Sequence, residues 1–236
     1  MKNKIYVIFK ILNIVKNIII RKLLKIRYIN NSHEKVFDWN WDSESYNRIA
    51  LVNFLIHKTG GLKSSYLEIG CQNNTLFHSV SSLNKIGVDP VSGGTHHMTS
   101  DYFFDNNNKK FDVIFIDGLH HYEQVRKDTI NALSCLKKNG WIALHDFLPS
   151  SWEEQHVPRI SNDWTGDCWK LALELTKSTG INFKIIKIDQ GIGLIKKEKL
   201  DWKIPDLSKH LKTAQFDVFV QKVDELPIFT FEEALK

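Results

Sequence analysis

Residues 112–128 read DVIFIDGLHHYEQVRKD, and their pattern is the clearest indication of the fold class. A run of apolar β-formers at residues 113–116 ends on Asp117, Gly118 and two histidines. A short apolar run that stops at a turn signal is typical of a buried strand, and residues 121–136 have the apolar spacing of a helix. The stretch therefore predicts a strand, a tight turn and a helix, with polar side chains at the turn.

The same pattern, a short apolar run followed by a helical segment, recurs along the chain. Buried strands are predicted for SYLEIG (65–70), NKIGVD (84–89), FDVIFID (111–117) and GWIALHD (140–146), with helical segments between them. A final pair, NFKIIKID (182–189) and GIGLIKK (191–197), is typical of a hairpin that turns at Gln190 and Gly191. The alternation predicts an α/β fold with a doubly wound, Rossmann-like, mainly parallel sheet and a terminal antiparallel strand.

The organisation around this core is less regular. A helix is predicted over residues 43–58, with Asp42 as its N-cap and Gly60 and Gly61 as its stop. We divide the chain into an N-terminal helix (1–30), a core domain (40–200) and a C-terminal extension (201–236) whose sequence is uninformative.

The N-terminal segment is basic and apolar. The first 27 residues hold eight Lys or Arg and no acid, so the net charge of +5 describes this terminus and not a nucleic-acid-binding body. Lys10 and Lys16 interrupt the apolar run, which is too short for the ~20 residues of a membrane span. The apolar positions that share one side of the predicted amphipathic helix are Ile8, Ile11, Leu12, Val15, Ile18, Ile19 and Leu23. The pattern indicates contact with an anionic membrane surface, and the alternative is a helix that packs on a partner or on a second copy in a homo-oligomer.

Cys71, Cys135 and Cys168 lie far apart with no CxxC pair, which argues against a disulfide framework or a structural zinc site. We expect a reducing compartment, the cytoplasm, with contact at the inner face of the membrane.

The ends of the first two strands indicate a nucleoside site. Glu68 and Gly70 lead into a polar loop before a helix, and a glycine there lets the backbone approach a ligand. Asp89 ends the next strand about 19 residues on, where a carboxylate can accept hydrogen bonds from a ribose diol. The alternatives are a turn glycine and a turn aspartate before Pro90.

The third and fourth strands deliver Asp117, His120, His145 and Asp146 to the same edge, because the carboxyl ends of parallel strands share one side of a sheet. His121 is expected to begin the helix and to face solvent or cap it.

The motifs LEIG, IGVDP, TSDYFF, FDVIFIDGLHHYEQVRKD and LHDFLP occur in an order that resembles class I S-adenosylmethionine-dependent methyltransferases, over residues 66–197. The resemblance implies S-adenosylmethionine as the methyl donor. The cofactor-binding residues that it implies are Glu68 and Gly70 at the methionine end, Asp89 at the ribose, Ser100 and Asp101 near the adenine, and Asp117. The loop departs from the family's fuller glycine fingerprint, since it has one glycine.

The spacing of the catalytic motif resembles the metal-dependent O-methyltransferases, and DGLHHYEQVRKD is most similar to the sugar-modifying, macrocin-type branch. The resemblance implies a divalent cation, Mg²⁺ or Mn²⁺, on Asp117 and Asp146, with His120 as general base. His145 stands where the family has an oxygen ligand. Imidazole is a softer ligand, so it favours Mn²⁺, binds through water or does not bind.

A long segment, residues 149–175, follows the last catalytic strand. Long loops at sheet edges often carry specificity, so Trp152, His156 and Trp164 are candidate contacts for the methyl acceptor. Asp167 is expected to cap the next helix, and Trp169 is expected in the core.

The expected activity is methyl transfer to a sugar hydroxyl of a surface glycan, a lipid-linked glycan or a glycosylated metabolite. A nicotinamide-dependent oxidoreductase shares the strand pattern but requires a richer glycine loop. A catalytically silent nucleoside-binding subunit is the alternative outside enzymes.

Overall fold

The protein, seen in a computed structural model, is built on a seven-stranded sheet of order β2-β1-β3-β4-β6-β5-β7. The structure describes the backbone of residues 2–236 and the side chains of residues 12–236. The strands are β1 (Ser65–Ile69), β2 (Asn84–Val88), β3 (Phe111–Ile116), β4 (Leu136–Leu144), β5 (Ile181–Ile186), β6 (Ile192–Lys197) and β7 (Ile228–Phe229). β1 to β4 pair in parallel, β6 lies antiparallel between β4 and β5, and β7 pairs in parallel with β5. The predicted Rossmann-like α/β fold with an antiparallel closing strand is confirmed.

Helices cover both faces of this sheet. They are α1 (Lys2–Arg27), α2 (Arg48–Thr59), α3 (Thr75–Ser79), α4 (Ser100–Asn106), α5 (Tyr122–Cys135), α6 (Trp152–Gln155), α7 (Lys170–Leu175), α8 (Ser208–Leu211), α9 (Phe216–Lys222) and α10 (Phe231–Leu235). Successive strand residues point to opposite faces, so β3 sends Val113 and Phe115 to a core with α2, α3 and α10. Its Ile114 and Ile116 enter a second core with α4, α5, α7 and α9. The sheet is therefore buried on both sides.

The strand register brings the polar strand ends together. Ile69 pairs with both Val88 and Ile116, and Ile116 pairs with Leu144. The residues that follow these positions share one edge of the sheet. β5 runs in the same direction as β4, because each is antiparallel to β6, so the turn after β5 reaches this edge as well.

The helix before the core begins later than the sequence predicts. α2 starts at Arg48, and the side chain of Asn47 accepts hydrogen bonds from the backbone N–H groups of Ile49 and Ala50, at 3.0 and 3.1 Å. Asp42 lies in a separate 3₁₀ turn, so its predicted capping role is wrong. Asn47 has the extended backbone that lets a side chain cap two free amides, which fixes the start of the helix.

The short C-terminal elements are stabilised by packing on the rest of the protein. Phe216 and Phe219 of α9 are fully buried against it, and Phe231 stacks on Tyr46 with ring centroids 4.1 Å apart. β7 has two residues and pairs with β5. Such short elements carry too little periodicity to be read from the sequence.

The predicted N-terminal helix is present as α1. Within the described part of the chain, no helix is both long and apolar enough to cross a bilayer. Met1 and the side chains of the predicted apolar positions Ile8 and Ile11 lie outside the described residues.

Candidate active site

The polar centre of the site comes from two neighbouring strand ends. Asp117 and His120 lie in the turn between β3 and α5, and Asp146 follows β4. His120 Nδ1 is 2.7 Å from Asp146 Oδ2, and His120 Nε2 is 3.3 Å from Asp117 Oδ1. One ligand atom from each of these residues lies within 4.8 Å of the other two. The structure thus brings together three of the residues that the sequence singled out.

His145 lies directly beside this group and is buried. Its Nδ1 is 2.8 Å from Asp146 Oδ1 and 3.5 Å from Asp117 Oδ1. Asp146 has φ = 70°, a left-handed conformation that is uncommon for a residue other than glycine. This local turn lets both His145 and Asp146 face the same centre, although consecutive strand residues would point to opposite sides.

Two further charged residues complete the cluster, and sequence reasoning missed both. Arg48 donates from Nη1 to Asp117 Oδ2 at 2.8 Å, and from Nε and Nη2 to the two carboxylate oxygens of Asp189 at 2.5 and 3.0 Å. Asp189 Oδ1 is also 3.6 Å from His145 Nε2. Asp189 ends NFKIIKID as acids end the other strands, so the same rule applied to β5 would have found it. Arg48 has no such signal, because it begins a helix outside the strand pattern.

The charges in the cluster shift one another's pKa values. Burial alone would raise the pKa of Asp117, but the positive charges of His145 and His120 beside it hold it well below its usual range. Burial would lower the pKa of His120, but its contacts with Asp117 and Asp146 raise it to about 10. A ring that stays protonated accepts no further proton. His120 can therefore act as a base only when another positive charge offsets the two carboxylates that raise its pKa.

The donor atoms of the cluster fit a divalent cation. Within residues 12–236, the buried side-chain atoms without a hydrogen-bond partner are Nδ1 and Nε2 of His145 and Oδ1 of Asp146. His145 Nδ1 and Asp146 Oδ1 are 2.8 Å apart but are not aligned for a hydrogen bond. Buried polar atoms are normally paired, so orphaned ones point to a partner outside the chain. Carboxylate oxygens with an imidazole nitrogen suit Mg²⁺ or Mn²⁺. A cavity of about 10 Å³ adjoins these atoms and is large enough for one small ion or water.

The segment of residues 150–167 holds His120 in place. The ring of Trp164 lies parallel to the His120 ring with centroids 5.1 Å apart, and the backbone N–H of Asp167 donates to the carbonyl oxygen of His120 at 3.3 Å. Gly166 has φ = 60°, and a Cβ there would lie 1.7 Å from that same carbonyl oxygen. Gly166 therefore allows the segment to approach His120 closely.

Asp167 caps a helix other than the predicted one. Its Oδ1 accepts a hydrogen bond of 2.6 Å from the backbone N–H of Tyr122, the first residue of α5, whereas α7 begins after Trp169 without a side-chain cap. His121, at the N-cap position of α5, makes no capping hydrogen bond. The prediction for Asp167 is wrong because the partner helix is remote in sequence.

Gly70 connects the predicted nucleoside loop to the catalytic centre. It has φ = 84°, and a Cβ at this position would lie 2.0 Å from the carbonyl oxygen of Asp117. Glu68, just before it, is buried and accepts a hydrogen bond of 2.6 Å from the hydroxyl of Tyr66. Burial raises the pKa of Glu68 to about 7, even though the Tyr66 hydrogen bond opposes the shift. The loop after β1 is thus packed directly against the end of β3.

Asp89 connects the loop after β1 to the loop after β2, at the predicted ribose end of the nucleoside site. Its carboxylate accepts four backbone hydrogen bonds, which come from Cys71, Gln72, Val91 and Ser92. Burial would raise the pKa of Asp89, but these amides lower it below its usual value. A ribose diol would have to share this carboxylate with the amides. The assignment of Asp89 to the ribose stays a prediction.

Ser100 and Asp101 begin α4 and contact α5. The Gln124 side chain donates to Ser100 Oγ at 3.2 Å and to Asp101 Oδ1 at 3.1 Å, and Lys127 forms a 2.7 Å ion pair with Asp101. Their predicted place near an adenine ring stays a prediction.

The candidate acceptor contacts differ in accessibility. Trp152 and His156 are buried, whereas Trp164 is half-buried and lies on His120. Trp164 is therefore the aromatic residue of the three that can meet an acceptor next to the polar cluster. Trp169 is fully buried, as the sequence predicted.

The region that contains this cluster matches a known protein family. Residues 34–147, just under half of the chain, match a family model described as a methyltransferase domain. The matched region contains β1 to β4 and ends just after Asp146. The match and the Rossmann-like fold together are consistent with a methyltransferase domain. No curated protein matches the chain.

The solved structures that match this chain are distant in sequence and superpose only in part. The S-adenosylhomocysteine-bound methyltransferase PaMTH1 of Podospora anserina is 14% identical over 75% of this chain and 95% of its own, with a TM-score of 0.48. An O-methyltransferase of Bacillus cereus in complex with S-adenosylhomocysteine is 13% identical over 75% and 89%, with a TM-score of 0.44. MycE, a methyltransferase of the mycinamycin biosynthetic pathway solved with Mg and S-adenosylhomocysteine, is 13% identical over 63% and 49%, with a TM-score of 0.44. Similarities at this level do not identify an acceptor.

Proposed function

We propose that this chain transfers a methyl group from S-adenosylmethionine to a hydroxyl group, with a divalent cation held by Asp117 and Asp146 and with His120 as the general base. The observation that carries the proposal is the cluster of these three side chains at the carboxyl edge of the sheet, within a region that matches a methyltransferase domain. In open α/β sheets this edge is where ligands bind.

The chemistry of methyl transfer suits these residues. A hydroxyl is a poor nucleophile toward a sulfonium methyl group, and a bound divalent cation supplies the Lewis acidity that lowers the pKa of the hydroxyl. Asp117 and Asp146 would hold that cation next to His120, and its charge would offset the two carboxylates that raise the pKa of the imidazole. His120 then takes the hydroxyl proton on a ring nitrogen. The new oxygen–carbon bond forms as the sulfur–carbon bond breaks, and S-adenosylhomocysteine leaves.

His145 is the third ligand in this proposal. Its two ring nitrogens are buried beside Asp146 and Asp189 without hydrogen bonds. A nitrogen in the ligand set shifts the preference from Mg²⁺ toward Mn²⁺. Arg48 pairs with Asp117 and Asp189, so it limits the negative charge of the cluster.

A sugar hydroxyl is the acceptor that we favour. The support is the similarity of DGLHHYEQVRKD to the sugar-modifying branch and the half-buried Trp164 beside His120. Aromatic rings offer an apolar face on which a sugar ring can pack. The oxidoreductase and the silent subunit are not favoured, since the domain match indicates methyl transfer.

The test is transfer of labelled methyl from S-adenosylmethionine into fractionated glycolipid and nucleotide-sugar pools, with and without EDTA. Metal-dependent label in a glycan fraction, abolished by Asp117→Asn, supports the proposal. EDTA-resistant transfer would show that Asp117 and Asp146 do not act by holding a catalytic cation. Tight binding of S-adenosylhomocysteine in calorimetry, with no transfer to any pool, would favour the silent subunit.

A further inference from the structure

We propose that α1 binds the surface of an anionic membrane through an apolar stripe that faces away from the rest of the protein. The stripe consists of Leu12, Val15, Ile19, Leu23 and Ile26. These residues recur every three or four positions, so they share one side of the helix. Their exposed fractions range from 46% for Val15 to 69% for Ile26. This surface goes beyond the proposed methyl transfer and does not depend on it.

The C-terminal part of α1 packs on the body of the protein through the side opposite the stripe, and this sets the direction in which the stripe faces. Leu24 packs against the core, and Tyr28, just after the helix, lies 4.6 Å from the His156 ring. Arg21 donates a hydrogen bond to Asn162. Arg21, Leu24 and Tyr28 are spaced three and four residues apart, so they form a second side of the helix. The apolar stripe therefore faces away from these contacts and is largely exposed.

Charge favours a lipid surface as the occupant over a second copy of the chain. Lys16 and Lys22 flank the stripe on its two sides, and the first 27 residues contain no acid. Two copies packed stripe to stripe would bring these lysines together with no carboxylate to pair with. Anionic headgroups would instead attract them while the stripe enters the acyl boundary. The helix would lie along the surface, because its apolar residues and its lysines occupy adjacent sides over its whole described length.

The same helix contacts the segment that covers His120. Besides Arg21 with Asn162, Lys25 forms a 2.6 Å ion pair with Glu153, and both partners belong to the 150–167 segment that carries Trp164. A membrane-bound α1 thus holds this segment close to the lipid surface. If the proposed function is correct, which this step alone requires, the acceptor is a membrane-attached glycan.

Vesicle sedimentation of the full chain tests the membrane surface without any enzymatic readout. We expect binding to vesicles of phosphatidylglycerol and phosphatidylcholine, little binding to phosphatidylcholine alone, and weaker binding in high salt, because salt screens the lysines. The double variant Ile19→Glu, Leu23→Glu should lose more than about tenfold in affinity, since two apolar side chains no longer enter the lipid. Lys16→Glu, Lys22→Glu should lose the preference for anionic vesicles.

Leu200→Glu is the matched control, because Leu200 is as exposed as the stripe but lies outside α1. It should bind vesicles as the native chain does. Equal binding to neutral and anionic vesicles, or undiminished binding by Ile19→Glu, Leu23→Glu, would overturn the proposal. So would a dimer in sedimentation velocity that this double variant dissociates, together with no vesicle binding. Binding of S-adenosylhomocysteine, measured in parallel, shows whether a failure here leaves the methyl-transfer proposal intact.

Discussion

His120 bridges two carboxylates from different strands: its Nδ1 lies 2.7 Å from Asp146 Oδ2, and its Nε2 lies 3.3 Å from Asp117 Oδ1. The pKa of the imidazole therefore depends on both acids. Any charge placed on the carboxylates changes the ability of His120 to accept a proton, so the proposed cation and the proposed base are a single functional unit.

His120→Ala should lower kcat by about 10²–10⁴, the range expected for loss of a general base, while the affinity for S-adenosylhomocysteine stays unchanged. The measurements are methyl-transfer kinetics and calorimetry. His97→Ala is the control, because His97 is exposed and outside the cluster. An equal loss of rate in both variants would remove His120 from the mechanism.

Gly166→Ala should strongly reduce activity, because its Cβ would lie 1.7 Å from the His120 carbonyl oxygen and must displace the turn that carries the base. Gly61→Ala is a matched control. Gly61 has a similar φ of 58°, but its Cβ would have no neighbour within 4 Å. Both variants carry backbone strain of order 1–3 kcal/mol, so the difference in kcat between them isolates the close approach. Similar kcat values would argue against a role for the 150–167 segment in positioning His120.

Arg48→Met should destabilise the fold by about 2 kcal/mol, because it removes charged hydrogen bonds to Asp117 and Asp189 in a half-buried site. Urea unfolding measures this change. Adding Asp189→Asn to Arg48→Met should cost less than the same substitution in the native chain, since the two residues share a contact. Strictly additive effects would mean that the pair does not contribute to stability.

Glu68 should make stability fall with increasing pH. Its pKa in the folded state is raised to about 7 from an ordinary value of 4.5, so between these two values the folded chain binds more protons than the unfolded chain. The stability is greatest below the lower value, and about 3 kcal/mol is lost as pH rises past 7. Glu68→Gln should flatten this dependence in urea unfolding at several pH values. Glu232→Gln, at an exposed position, should leave the slope unchanged; an unchanged slope in Glu68→Gln would contradict the shift.

Asp89→Ala should destabilise the protein by roughly 1–3 kcal/mol, because it leaves four backbone amides without their acceptor. Thermal or urea unfolding measures the loss. Calorimetry with S-adenosylhomocysteine on the folded variant separates a role at the ribose from a role in holding the loops. Unchanged affinity would assign Asp89 to loop structure alone.

The strand pattern was enough to predict the sheet and the main polar residues at its carboxyl edge. Each of the six predicted strands is a short run of mainly apolar residues, and burying such a run removes apolar surface from water, so its position can be predicted locally. Parallel strands end at one edge, so Asp117, His120, His145 and Asp146 could be placed together from spacing alone.

The remaining charged groups at that edge could be identified only in the folded chain. Arg48 reaches Asp117 from a helix 69 residues earlier in the chain, and Asp167 caps α5 from 45 residues later. These contacts depend on side-chain direction and on how helices pack across the sheet, and local periodicity carries no information about either. The physical reason is that secondary structure follows from neighbours in sequence, whereas pairing of buried charges follows from neighbours in space.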